Sequence, residues 1–475
     1  RYILSNRIYR RIKSLFSCVL PPSSTILKML IDYSMNPRTP PSDIIDKETD
    51  NKTRFTGGRM EEIRLLTVDE SNTYLKLNHM AYPRFPITPE RREKLQTRLR
   101  DNGPDSPSQL YGYFSQDQLL GSMILYSYTI NVYGHFIPAC GIGGVAVHLM
   151  HKKEHIAKTM ISYAHDLAHR RGQNLVLLYP FRPDFYAKMG YGIGPKRFRY
   201  VLKPTAFPSG SKKTHLEALS EADVQRTLDS YHRVYQKTHG LIAKSKKEMT
   251  LLLSSPENYA VGFSESGTLR GYLAFQFESA SETNFVKNNM VILEWVNENR
   301  YVFEEMCAFL NSQSDQIHRI IVGTEDESFH LLPSDPRDGS DELIPSVYHQ
   351  CGTFGVGLMY RLLDPAAFIE ATTKDTIPET PPTAFIRWEI QDPFFSNGNQ
   401  TIATALHEGR LYLTSRPSSV TIRIGIAEFS SLLMGCCDLR ALQEYGKITI
   451  DSQEDCEKIA RSFRGNPKPI CKTDF

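Results

Sequence analysis

The sequence predicts a protein of mixed α+β / α/β class that is built from several domains. Its 475 residues suggest about three domains. Segments with the two-residue period of strands alternate with segments of helical period along the chain. The clearest example is Gly141–Gly192, where an apolar strand, a cationic turn, an amphipathic helix and a second strand follow one another.

The first 59 residues differ in composition from the rest of the chain. They hold 11 Lys and Arg against 5 Asp and Glu, which leaves residues 60–475 with a net charge of −3. Pro40-Pro41 and the polar stretch Ser42–Lys52 predict disorder. We interpret residues 1–59 as a disordered leader that is not native, and we expect the native protein to begin at Met60. A genuine disordered leader is the alternative.

Composition also narrows the possible partners. The mildly acidic body gives no case for nucleic-acid binding, and no stretch reaches the length of a membrane span. The eight cysteines include no CxxC spacing, which predicts reduced thiols and a cytoplasmic location. We therefore expect neither a nucleic-acid nor a membrane partner.

Residues 60–203 predict one domain with the element order β-α-α-β-β-β-α-β. Thr88-Pro89-Glu90 is typical of a helix start, because Pro is favoured at the first helical position. The predicted elements are strands Glu61–Thr67, Leu110–Phe114, Leu119–Ser127, Gly141–Val147 and Leu175–Tyr179, and helices from Asp69 to Met80, from Thr88 to Leu99 and over Ile156–Arg171.

The helix Ile156–Arg171 and the turn before it predict an anion site. One apolar stripe faces a sheet, and it consists of Ile156, Met160, Tyr163, Ala164 and Leu167. At the start of the helix, free backbone N–H groups and the helix dipole favour phosphate. Three histidines nearby, His148, His151 and His155, also suggest a metal, but they lie in a turn without a carboxylate cluster. We therefore predict no metal site.

The order of the elements and the turn resemble the GNAT acetyltransferases. That family has Gln/Arg-x-x-Gly-x-Gly/Ala at the turn, where this chain has Lys152-Lys153-Glu154-His155-Ile156-Ala157. Lys152 keeps a cation and Ala157 a small residue, whereas His155 replaces Gly, and its Cβ is expected to disfavour a positive φ. The resemblance implies acetyl-CoA as co-substrate. The residues that it implies for binding are Val145, Ala146, Val147, Lys152, Lys153, Glu154, His155, Ile156, Ala157, Lys158, Phe181 and Arg182.

The loop Tyr186-Ala187-Lys188-Met189-Gly190-Tyr191-Gly192 and the chain end resemble the enhanced intracellular survival (Eis) family of GNAT enzymes. The resemblance covers about residues 60–475. It implies Tyr186 as general acid, the terminal carboxylate of Phe475 as base, and a homohexamer. A packed aromatic residue and a frayed terminus are the structural alternatives for these two residues.

The same resemblance implies tandem GNAT-type domains followed by a sterol carrier protein-like α+β domain. The predicted boundaries are 60–203, 204–364 and 365–475. Pro204–Lys213 is interpreted as a linker. The central domain has no second cationic turn, and we interpret it as structural. The last domain is expected to deliver Phe475 to the first domain.

The predicted function is acetyl-CoA-dependent N-acetylation of amines, in either an aminoglycoside-like polyamine or a lysine side chain. A tyrosine with a pKa of about 10 can protonate a thiolate of about 8.5, whereas a carboxylate of about 3.5 is a weak base for an alkylammonium. The alternatives are a lipid-binding protein that uses the last domain and a non-catalytic hexameric protein.

Overall fold

The structure of the chain is a computed structural model, which describes residues 44–45, 52–56, 59–210, 212–340, 343–344, 348–374, 378 and 380–475. The described residues form two compact units. The first unit holds the residues up to Tyr126 together with Gly144–Leu167, and the second holds Ser127–Gly143 and Ala168–Phe475.

The strands and helices follow one another in the alternating order that the sequence predicts. The strands are β1 Ile44–Ile45, β2 Lys52–Thr56, β3 Arg59–Leu65, β4 Ser108–Ser115, β5 Gln118–Val132, β6 His135–Val147, β7 Leu175–Leu178, β8 Gly192–Ile193, β9 Lys196–Leu202, β10 Leu216–Leu219, β11 Asn258–Glu265, β12 Thr268–Ser279, β13 Asn288–Asn297, β14 Ile317–Thr324, β15 Leu343–Ile344, β16 Tyr348–His349, β17 Gly352–Val356, β18 Met359–Leu362, β19 Ala384–Gln391, β20 Gln400–His407, β21 Arg410–Leu413, β22 Val420–Gly425 and β23 Ile448–Ile450. The α-helices are α1 Ser71–Ala81, α2 Pro89–Arg100, α3 Ile156–Arg170, α4 Pro183–Ala187, α5 Val224–Tyr235, α6 Lys246–Ser254, α7 Arg300–Asn311, α8 Pro365–Thr373, α9 Ile426–Leu433, α10 Leu439–Glu444 and α11 Gln453–Phe463.

In the first unit, β3, β4 and β5 form an antiparallel sheet that is covered by α1 and α2. Strand β2 extends this sheet by pairing with β3, and β1 pairs with β2. The expectation that residues 1–59 are disordered is therefore wrong for β1 and β2, because the backbone edge of β3 supplies hydrogen-bond partners that composition does not reveal. Apart from Arg59, which begins β3, the rest of that segment lies outside the described residues.

Two sequence predictions about helices in the first unit are confirmed. The Thr88 hydroxyl caps α2 by accepting a hydrogen bond from the Arg91 N–H at 3.3 Å. All five residues of the α3 stripe are buried. Gly121 of β5 allows this close packing, because a Cβ there would lie 2.9 Å from both Ile156 and Met160.

In the second unit, β18 lies between β7 and β8 and is antiparallel to both. Strand β9, which comes before β18 in the chain, joins another sheet, of order β10-β11-β12-β13-β14-β9-β17. Sheet membership therefore crosses the predicted boundary at residue 203 in both directions, whereas no described strand after the predicted boundary at residue 364 joins a strand before it. Those boundaries remain predictions about sequence segments.

The sheet that contains β9 opens between two of its strands. The parallel pair β13 and β14 is hydrogen-bonded as far as Ile292 and Val322, after which β13 continues to Asn297 beside β12 only. Phe207, in the segment interpreted as a linker, is buried in the core of this sheet. The linker interpretation is wrong there, since Phe207 contributes apolar area to that core.

The last sheet has the order β21-β20-β19-β22-β23 and packs on α8, α9 and α11. Its core includes the fully buried side chains of Trp388 and Phe429. A cavity beside α8 measures only ≈ 20 Å³. In the described part of the chain, no helix is both long enough and apolar enough to cross a membrane.

His239 joins three segments of the second unit. Its ring stacks on Tyr133 with centroids 3.9 Å apart, its Nδ1 accepts the Tyr133 N–H at 3.3 Å, and its Nε2 lies 3.1 Å from the Met434 carbonyl. Burial lowers the pKa of His239 to about 4. The neutral ring satisfies both neighbours, whereas a protonated ring would lose the bond to Tyr133.

We predict that this histidine makes the protein sensitive to acid. Between pH 6.5 and about 4 the unfolded chain binds a proton that the folded chain does not. The contribution of His239 is therefore complete above pH 6.5, and the free energy of unfolding falls by roughly 3 kcal/mol as the pH drops to 4. Urea titrations across this range should show a shallower slope for His239→Asn than for the wild type. The same change at exposed His330 is the control, and an unchanged slope in His239→Asn would contradict the prediction.

Candidate active site

The end of β6 and the start of α3 form the predicted cofactor segment, and both lie in the first unit. Ala146 and Val147 are buried, and Val145 is half-buried with its carbonyl accepting the Tyr82 hydroxyl at 3.0 Å. The His148 N–H continues the strand by donating to Leu120 at 2.8 Å. The strand is thus anchored up to the start of the turn.

The turn itself exposes its charges. Lys152, Lys153, Glu154, His155 and Lys158 are exposed, whereas Ile156 is buried and Ala157 half-buried. The Glu154 carboxylate is 2.9 Å from His151 Nδ1, so this acid is engaged locally. Since the first N–H groups of a helix have no intrahelical partner, the start of α3 presents donors beside three lysines. This combination fits the phosphates of a coenzyme.

His155 has a left-handed backbone conformation, with φ of +62°, and Lys153 has φ of +71°. The sequence led us to expect that the Cβ of His155 would disfavour a positive φ, but the structure has this conformation. The turn keeps the conformation that glycine adopts most easily, at a cost of about 1 kcal/mol per residue.

Tyr186 lies on α4, a single turn that begins at Pro183, and it is 3% exposed. Phe181, Phe185 and Tyr191 surround its ring edge-on, with centroids 5.2–5.8 Å away. Phe181 is 62% exposed and therefore forms the solvent side of this cluster. Arg182 pairs with Asp184 through two hydrogen bonds, so its charge is largely offset.

Arg361 holds the loop that follows Tyr186. The loop connects β7 to β8, and Arg361 belongs to β18, the strand between them. Its buried guanidinium donates to the Met189 carbonyl at 2.5 Å, pairs with Asp392, and lies against the rings of Phe394 and Phe395. Arg361 is not among the residues that the sequence predicts for the site. Its one signal is a charge within the apolar run Met359–Leu363.

Gly190 is required by this contact. It has φ of +80°, and a Cβ there would lie 1.6 Å from Arg361 Nη1. The first glycine of the Gly-Tyr-Gly ending thus has a structural cause.

Phe475 is packed rather than frayed. Its ring lies 5.3 Å from the rings of both Tyr128 and Tyr179, and a Cβ on Gly141 would be 3.1 Å from it. The Tyr179 hydroxyl donates to the Thr473 carbonyl at 3.2 Å. Burial raises the pKa of Tyr179, which keeps this donor protonated. Phe475 and Tyr186 therefore both lie in the second unit, whereas residues 145–158 lie in the first.

A cavity of ≈ 280 Å³ opens beside the chain end, at the point where β13 and β14 separate. Its acidic lining residues are Glu294, Glu325, Asp326 and Asp474. Glu294 bonds Lys244 through one oxygen at 2.7 Å, and its other oxygen has no partner among the described residues. Burial raises the pKa of Glu325, although Arg197 and Lys472 oppose the shift. Glu294 is not among the residues that the sequence predicts for the site, and its one signal is a carboxylate inside an apolar strand.

Three protein-family models match the chain. An acetyltransferase (GNAT) domain matches residues 62–194, a second acetyltransferase (GNAT) domain matches 225–362, and a sterol carrier protein domain matches 366–472.

Individual proteins are similar to this chain over most of their length. An uncharacterized N-acetyltransferase of Streptomyces avermitilis is 22% identical over 415 residues, which cover 82% of this chain and 93% of that protein. The crystal structure of a GCN5-related N-acetyltransferase from Kribbella flavida has 18% identity and a TM-score of 0.70, and the match covers 87% of this chain and 98% of that one. Eis1 from Mycobacterium abscessus has 17% identity and a TM-score of 0.67, with 87% and 100% covered. At these identities the structural likeness shows the fold alone.

We predict that His155→Gly stabilises the protein by about 1 kcal/mol, because glycine has no Cβ penalty at positive φ. Lys152→Gly is the matched control, since Lys152 has φ of −64° and glycine there should lower the free energy of unfolding by about 0.5–1 kcal/mol. Urea unfolding measures both changes. Equal destabilisation by the two changes would argue against strain at His155.

We also predict that Gly190→Ala destabilises the protein by at least about 2 kcal/mol, because it adds a steric clash to a left-handed backbone. Gly172→Ala separates the cost of the steric clash from the cost of the left-handed backbone. Gly172 has φ of +71°, but a Cβ there would meet no atom within 4 Å, so only the backbone cost of about 1 kcal/mol applies. Thermal and urea unfolding of both variants tests this difference. Equal losses in the free energy of unfolding would show that the contact with Arg361 does not contribute.

Proposed function

Because the chain is a GNAT-type N-acetyltransferase, with two GNAT domains followed by a sterol carrier protein domain, we propose that it transfers the acetyl group of acetyl-CoA to an amine. The predicted relation to the Eis family is confirmed at the level of domain content and fold. The observation that carries the proposal is the ordered chain end, where Phe475 is clasped by Tyr128 and Tyr179.

The proposal assigns acetyl-CoA binding to the end of β6 and the start of α3. Val145, Ala146 and Val147 offer a strand backbone for the pantetheine arm. The residues assigned to the phosphates are Lys152, Lys153, Glu154, His155, Ile156, Ala157 and Lys158, with Phe181 and Arg182 assigned to the rest of the coenzyme. Three exposed lysines and the start of α3, where the first N–H groups lack intrahelical partners, support this assignment.

The proposed reaction forms a bond from the amine nitrogen to the acetyl carbonyl carbon and breaks the bond from that carbon to sulfur. Tyr186 gives its phenolic proton to the departing thiolate. The carboxylate of Phe475 orients the acceptor ammonium and takes one proton from it, directly or through water. The second proton that the nitrogen loses on becoming an amide restores the phenol of Tyr186 through solvent. The buried, aromatic surroundings of Tyr186 support a hydroxyl held in one position.

The acidic cavity supports a cationic acceptor. Its volume of ≈ 280 Å³ suits part of a small molecule, and the exposed carboxylates of Asp326 and Asp474 in its lining can accept hydrogen bonds from an ammonium. A small polyamine, with one amine acetylated and another bound by these carboxylates, therefore fits better than a lysine side chain with a single charge. We therefore place polyamines ahead of lysine side chains as the acceptor of the acetyl group.

The two alternative functions have less support. Lipid binding would need an apolar tunnel, and the cavity beside α8 is smaller than a single lipid chain. A non-catalytic protein was suggested by His155 in place of glycine, yet its backbone has the left-handed conformation. Assembly as a homohexamer and a cytoplasmic location complete the proposal. The seven described cysteines are free, which agrees with a reducing compartment.

The test is thiol release from acetyl-CoA in the presence of a kanamycin-like polyamine. We expect the wild type to release thiol, and Tyr186→Phe to lower kcat by about 10²-fold or more, since a general acid contributes about that much. An added glycine after Phe475 should cause a similar loss by moving the carboxylate. Tyr445→Phe, at a residue 79% exposed, is the control for tyrosine loss, and Phe475→Tyr keeps both the ring and the carboxylate. Wild-type protein without thiol release would refute the proposal. Near-normal rates in Tyr186→Phe and in the extended chain would refute the assigned residues.

A further inference from the structure

We propose that the central GNAT domain is the receptor for the C-terminal tail, residues 470–475, and that Lys472 is the positioning residue that fixes the terminal carboxylate. The inference rests on the proposed role of Phe475 as base. It assigns a function to a domain that the sequence suggested was only structural.

The receptor is the opening between β13 and β14. Beyond Ile292 and Val322 the two strands no longer pair, so a strand backbone is accessible at this end of the sheet. The Lys472 ammonium donates to the carbonyl of Trp295, within the separated part of β13. The tail thus enters the opening with a cationic side chain.

Carboxylates around the opening match that cation. Burial lowers the pKa of Lys472, and Glu294 and Glu325 oppose the shift because their charges attract the ammonium. Lys244 holds Glu294 at 2.7 Å, and Arg197 lies 3.5 Å from Glu325 and 3.6 Å from Asp474. Removal of the Lys472 charge would take away part of the compensation for the buried carboxylates of Glu294 and Glu325, which favours release of the tail.

Two further contacts continue the attachment. The Ile470 N–H donates to the His239 carbonyl at 3.0 Å, and the neighbouring Gly240 leaves room, since a Cβ there would be 2.5 Å from that nitrogen. The Tyr179 hydroxyl bonds the Thr473 carbonyl. Only three residues separate Lys472 from the chain end, and an extended chain of that length spans about 10 Å. Fixing Lys472 therefore confines the carboxylate of Phe475.

The start of α7 is occupied by protein side chains, which agrees with a domain that binds the tail instead of a cofactor. Asn299 caps the helix by accepting the Val302 N–H at 3.1 Å. Arg233 and Arg270 hold Glu298 beside it, at 2.8 and 3.4 Å. The corresponding turn of the first domain is cationic and exposed.

The test measures release of Phe475 from the intact protein by a carboxypeptidase that prefers aromatic residues. We expect Lys472→Met to release Phe475 about tenfold faster than the wild type, because a charged hydrogen bond that orders the tail is lost. Lys472→Arg keeps the charge and should restore most of the protection. Lys468→Met is the matched control, since Lys468 lies in the same segment but pairs with Glu327 at the surface. Its rate should stay within about twofold of the wild type. A wild-type rate in Lys472→Met would overturn the proposal.

Acetyl transfer gives an independent readout. Lys472→Met should lower kcat about tenfold without changing the KM for acetyl-CoA, because only the position of the carboxylate changes. If the wild type transfers no acetyl group, the proposed function fails, while the release ratio still decides whether the tail is docked. Unchanged kcat with accelerated release would overturn the positioning role.

Discussion

The packing of Phe475 depends on the absence of a side chain at Gly141. A Cβ at Gly141 would lie 2.6 Å from Tyr128 and 3.1 Å from Phe475, so this glycine leaves the space in which the last ring of the chain sits. Tyr179 closes the other side. Ordering a chain end costs roughly 1–2 kcal/mol of backbone entropy per residue, and the bonds at Ile470, Lys472 and Thr473 offset that cost.

The exchange of strands within the second unit explains how distant segments reach the candidate catalytic loop. Because β18 inserts between β7 and β8, Arg361 lies beside the loop that joins those strands. Asp392, which comes directly after β19, forms a buried ion pair with Arg361. A buried ion pair contributes little net stability, but loss of one partner leaves an uncompensated charge. The pair therefore makes the loop conformation depend on residues about 170–200 positions away.

Most elements of the fold follow from local sequence. The Thr88 cap, the apolar stripe of α3 and the Gly-Tyr-Gly loop are visible in short windows, because capping, helical period and glycine turns are local effects. The candidate residues Tyr186 and Phe475 came from a family pattern and not from their chemistry. Glu294, Arg361 and Lys472 were missed because their partners lie far along the chain, and a lone charge in an apolar run indicates burial without indicating a partner.

By itself, the sequence determined the order of strands and helices, the cationic turn before α3 and the domain types that resemblance implies, since each depends on neighbouring residues. Only the tertiary structure decided which strands share a sheet, that Pro204–Phe207 is core rather than linker, and where the chain end lies. Strand exchange and tail docking bring together residues hundreds of positions apart, and no local pattern encodes such contacts. The left-handed turn at His155 is another feature that local sequence does not encode. Tertiary packing on both sides of the turn holds a backbone conformation that a histidine on its own disfavours.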